Sequence, residues 1–118
     1  MTTQKYRDDS RSLLAQARIE LAGGDVRQAS EKGWGAAAQI VKAVSESRSL
    51  PHRGHRLLFN MVDTLYDETG DADIRRLFNV ANALHMNFCE DWRSSESVRE
   101  SLDDVERFLD KMDPLVLA

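Results

Sequence analysis

Apolar residues recur at intervals of three and four along nearly the whole chain, and no stretch shows the alternating valine- or isoleucine-rich pattern of a strand. The clearest run is Ile74 to Trp92. Ile74, Leu77, Phe78, Ala81, Leu84, His85, Phe88 and Trp92 fall there on one face of a helix of about five turns. This spacing predicts the most buried helix of the fold, with Leu84 and Phe88 among its best enclosed side chains.

The same periodicity places the other elements. A first helix is predicted from Lys5 or Arg7 to Ala22, after a short frayed tail at residues 1–4, with Tyr6, Leu13, Leu14, Ala17 and Leu21 on its apolar stripe. Gly23-Gly24 ends it, because closing a helix favours a left-handed residue, and Asp25 is placed to cap the next. A second helix follows over Val26–Ser47. Its small residues Gly33, Gly35, Ala36, Ala37 and Ala38 let another backbone approach closely. Pro51 marks a break, and a third helix runs from Arg53 or Gly54 to Thr69, stopped by Gly70. Asp71 is set to cap the fourth, which runs to about Asp91. The last uses Val98, Leu102, Val105, Leu109 and Met112 and stops before Pro114, with Ser94, Ser95 and Ser97 as possible caps and a Ser97 to Glu100 capping-box spacing. The expected fold is all-α: an antiparallel up-and-down bundle of four long helices with a fifth packed alongside, in a single domain over 1–118.

Composition narrows the classes of function. A net charge of -4 argues against nucleic-acid binding through overall charge, although a local basic site remains open. The lone Cys89 forms no internal disulfide, and no signal peptide or apolar run of spanning length is visible, which fits a cytoplasmic setting away from the membrane.

The candidate chemistry is sparse. Arg48, His52, Arg53, His55 and Arg56 occur with no acidic residue between Glu46 and Asp63, which makes this segment the best local anion site, suited to a phosphate or an RNA backbone. His55 and His85 both face apolar stripes, positions from which they can meet across the bundle; each also reads as a core histidine satisfied by a hydrogen bond. Asn87 and Glu90 leave the apolar arc and are candidates for surface recognition, as is Trp34 at the edge of the second helix's arc. Asp103, Asp104, Glu106 and Asp110 point in different directions and alternate with basic residues, so they read as a solvated face rather than a metal site. No catalytic residue, metal set or cofactor motif is assigned.

Together, Glu31-Lys32-Gly33-Trp34-Gly35-Ala36-Ala37-Ala38, His55 at the start of the third helix and Leu84-His85-x-Asn87-Phe88-x-Glu90 on the fourth resemble the HEPN superfamily, and within it the branch of the archaeal paralogous-repeat (PaREP) proteins. The likeness spans roughly Leu13 to Leu109, with Cys89 where that branch commonly has tyrosine. It implies a helical bundle, often dimeric, in a superfamily that includes toxin ribonucleases and partners of small nucleotidyltransferases. The ribonuclease members carry an Arg-x4-6-His motif near the end of the penultimate or last long helix. Here Arg76 and His85 have eight residues between them, and Arg48 and His55, with six between, flank Pro51 in the wrong part of the fold. The expectation is therefore a non-catalytic interaction module, a homodimer or the partner of another protein, with the small-residue and tryptophan surface of the second helix as contact and Trp34 and Trp92 as anchors. The alternative is a protein acting on a nucleotide or RNA through the basic loop and the histidines, as in a toxin-antitoxin pair.

Overall fold

The computed structural model describes residues 2–117. Its helices are α1 (Thr3–Ala22), α2 (Val26–Ser47), α3 (His55–Thr69), α4 (Ala72–Glu90) and α5 (Ser95–Met112), closed by a 3-10 turn at Asp113–Leu115. Four of them begin where a short side chain takes up a free backbone N–H: Thr2 accepts from Lys5, Asp25 from Gln28, Asp71 from Asp73 and Ser94 from Ser97. The first cap draws Thr3 and Gln4 into α1 and so removes most of the expected frayed tail; Met1 lies outside the described residues. At α5 the cap is Ser94, not the Ser97 to Glu100 box. Helix α3 is the exception: Gly54 precedes it at φ 91, and no side chain caps it.

The described residues contain no strand, and the five helices pack as an up-and-down, all-α bundle. The central helix is not α4, as its long apolar run suggested, but α2. Twelve of the 22 residues of α2 are buried, against six of the 19 in α4, and α2 packs on all four of the other helices. Small side chains explain the reversal. Ala29, Ala36, Ala37 and Ala43 are fully enclosed, so neighbouring backbones close in on every side. Gly33 is the tightest point: a Cβ there would lie 2.6 Å from Leu102 Cδ2 and 2.9 Å from Leu84 Cδ1.

Leu84 is fully buried as its spacing predicts, but Phe88 is only half-buried, on the flank of α4. Arg27 covers it from outside, its guanidinium 5.2 Å from the ring centroid and its Nε donating to the Phe88 carbonyl oxygen. The large enclosed rings are Phe78 and Phe108. Between α1 and α5, Arg18 pairs with Asp103 and Glu106, and Arg11 with Asp110 and Asp113. The acidic face of α5 is therefore partly occupied by α1. No helix among the described residues is long and apolar enough to cross a membrane.

Candidate functional site: an aromatic column ending in two histidines

A line of rings runs from the core to the surface. Phe108 on α5 lies 5.6 Å from Phe78 on α4, which lies 5.4 Å from Trp34 on α2, which lies 4.9 Å from His55 on α3. Trp34 and His55 are stacked with 10° between their planes. His85 on α4 completes the outer end, 5.1 Å from His55 and 5.5 Å from Trp34. The expected meeting of His55 and His85 therefore occurs, but at the surface and not in the core. His55 is exposed, His85 is half-buried, and Trp34, at 6% exposure, forms the floor beneath them instead of a rim or an outward anchor.

Glu31, one turn before Trp34 on α2, holds His85. The Nδ1–H of His85 donates to both carboxylate oxygens, at 3.1 and 3.2 Å, which turns Nε2 away from the acid. The individual residues gave no sign of this pair, because its members stand 54 positions apart. Position Glu31 was visible only as part of the segment that carries the family likeness.

The basic loop is less basic than its sequence. Arg48 is held by both oxygens of Glu68 on α3, and the Nε2–H of His52 donates to Glu46 while its ring meets Tyr6 edge-on. Those acids arrive from α2 and α3 and leave two cations in play. Arg53 and Arg56 are exposed, have no carboxylate partner among the described residues, and flank His55 in the chain.

Asn87 is not a surface residue. It is fully buried, donates to Ser30 Oγ at 3.0 Å, and accepts at 3.0 Å from the backbone N–H groups of both Trp92 and Arg93. It fixes the α4–α5 corner, where Arg93 bonds Ser97 and Ser101 and burial lowers its guanidinium from the ordinary value. Glu90 is exposed as expected, and Trp92, 68% exposed, is the tryptophan that faces outward. Among the described residues no group of His, Cys, Asp or Glu is arranged to hold a metal ion.

The cluster thus offers an outward imidazole backed by a buried indole, a second imidazole oriented by a carboxylate, and two unpaired arginines. Such a set binds an anion with a planar part well. It is poorly built to cleave a phosphodiester between the histidines, since the two rings are already in contact and in-line transfer needs acid and base on opposite sides of phosphorus.

Comparison with known proteins agrees with this architecture. The sequence pattern of the archaeal PaREP1/PaREP8 family matches residues 5–109. The crystal structure of a protein from Sulfolobus solfataricus, 21% identical, superposes with a TM-score of 0.80 over 92% of this chain and 97% of that one, which shows a shared fold. No curated protein matches the sequence.

Proposed function

The chain belongs to the archaeal PaREP1/PaREP8 family, and on that footing we propose that it is a non-catalytic module that binds a nucleotide phosphate, free or in single-stranded RNA, at the His55–His85 cluster. The observation that carries this reading is the convergence of His55 and His85 over Trp34, with the exposed, unpaired Arg53 and Arg56 flanking His55 in the chain. His55 offers its outer face to a base, since bases stack on histidine as on other aromatic rings, and the arginines take the phosphate. The likeness of the Glu31 to Ala38 and Leu84 to Glu90 segments to the HEPN superfamily supports a nucleotide-linked role. The missing Arg-x4-6-His spacing at the end of α4 favours binding over cleavage.

The test uses Trp34 as the reporter in a Trp92→Phe background. Titration with inorganic phosphate, AMP and an oligoadenylate separates anion binding from nucleotide binding and from strand binding. Saturable changes in Trp34 emission that weaken in His55→Ala and Arg56→Ala support the proposal. Unchanged affinity in both variants, or no response to any of the three, refutes it.

A second reading rests on a different observation. Trp92 and Met86, 68% and 51% exposed, are large apolar groups on the outer side of the α4 end of the bundle, where aromatic anchors of protein contacts are often found. A homodimer or partner contact there predicts a dimer mass in light scattering that Trp92→Ser reduces to a monomer. A monomer at tens of micromolar removes the homodimer.

A further inference from the structure

We propose that the groove between the end of α2 and the outer side of α3 is a separate binding site for a small, neutral, mostly apolar molecule carrying one hydroxyl group. The groove has a volume of about 190 Å³, with Leu50, Leu57 and Met61 as walls, Asn60 and Thr64 exposed along it, and Ser45 among its lining residues. At 100° per residue its α3 positions lie about half a turn from His55, so it is not part of the histidine cluster.

Ser45 is 1% exposed, and its hydroxyl has no hydrogen-bond partner among the described residues. Other helical serines of this chain are bonded: Ser10 donates to the Ala36 carbonyl oxygen, Ser30 to that of Val26 and Ser47 to that of Val44. A buried hydroxyl left unpaired is unfavourable by about 1–3 kcal/mol, so an orphan beside a groove points to a partner that enters it. Arg48 Nε, at the end of the same helix, is also buried and unpartnered, and Gln39 Oε1 is the third such side-chain atom among the described residues. Two of the three orphans thus share one corner of the fold.

The surroundings select the chemistry. The nearby charges are paired off, Arg48 with Glu68 and His52 with Glu46, so the groove offers no free charge to an ion. Its walls are mostly apolar, Thr64 is bonded to the Asn60 carbonyl oxygen, and Ser45 is the lining residue whose hydroxyl lacks a partner. An apolar cavity of about 150 Å³ holds benzene, so this volume suits a six-membered ring with one or two further heavy atoms.

The probes are p-cresol and toluene, followed by amide NMR shifts of the full chain, with Ser45→Ala and Leu50→Trp as variants. Leu50 is exposed, so the indole fills the groove mouth without disturbing the core. Saturable p-cresol shifts at Leu57, Asn60 and Thr64 are expected, abolished by Leu50→Trp. Ser45→Ala is expected to weaken p-cresol about three- to tenfold and to leave toluene unchanged, the range of one hydrogen bond. Shifts scattered over the chain, shifts that persist in Leu50→Trp, or equal p-cresol affinity in Ser45→Ala overturn the proposal. Groove shifts that depend on protein concentration without ligand overturn it too, and make the groove a contact between two copies.

Discussion

Asn87 on α4 donates a hydrogen bond to Ser30 on α2 across 57 positions of sequence, with both side chains fully buried. Ser30 donates its own hydroxyl to the Val26 carbonyl oxygen, and the Asn87 oxygen accepts from the Trp92 and Arg93 N–H groups, so the two side chains tie the start of α2 to the α4–α5 corner. Asn87→Ala leaves the Trp92 and Arg93 backbone N–H groups without their acceptor. The expected loss is about 2–3 kcal/mol in chemical denaturation. A loss under about 0.5 kcal/mol would mean that water replaces the amide.

Gly33→Ala tests the crowding of α2. Alanine favours the helix by up to about 1 kcal/mol, but its methyl meets the Cδ atoms of Leu102 and Leu84, both fully enclosed. Overpacking of this kind is destabilising by about 1–3 kcal/mol. A net drop in stability is therefore expected, and a rise in melting temperature would show that the leucines can move.

Truncation separates the two phenylalanines of α4. Phe78→Ala empties a fully enclosed site between Phe59, Trp34 and Phe108, and should be destabilising by about 3–5 kcal/mol. Phe88→Ala removes a half-buried ring and should have a clearly smaller effect. Equal effects in urea melts would contradict the placement of Phe88 on the flank.

Acid stability should depend on Asp71. Its carboxylate accepts from Lys111 and from the Asp73 backbone, which together hold it below the usual value of 3.8. A carboxyl lowered in the folded state adds stability that is present above the unfolded value and lost as pH falls through the lowered native value. Below about pH 4, Asp71→Asn should therefore flatten the fall of the urea midpoint with pH. Identical slopes in wild type and variant would count against the linkage.

Purified protein is expected not to cleave RNA, whether structured or single-stranded, because the contacting His55 and His85 rings leave no place for a scissile phosphate between them. Gel analysis after long incubation reads the outcome directly. Cleavage that vanishes in His55→Ala or His85→Ala would show a working site despite that geometry.

Helix ends were legible because they are written in local chemistry: Asp25 after Gly24, and Asp71 after Gly70, cap and stop their helices as the sequence implies. Burial was less legible wherever a partner from afar decides it. Asn87 reads as polar and outward until Ser30 supplies the hydrogen bond that lets it go inward. Arg48 reads as a free cation until Glu68 arrives from the next helix. The dominance of α2 was hidden because hydropathy rewards large side chains, whereas alanine and glycine earn a central place by how closely they let others approach. His55 and His85 were identifiable as candidates, but their stacking on Trp34 and the role of Glu31 depend on how three helices are set against one another.

The chain turns from α2 to α3 through two residues of positive φ, Ser49 at φ 57 and Gly54 at φ 91, with Arg53 between them and His55 just beyond. Gly54 allows a turn that a residue with a Cβ enters only under strain. Replacing Gly54 would therefore displace the start of α3, and with it the stacking of His55 on Trp34, without touching either ring.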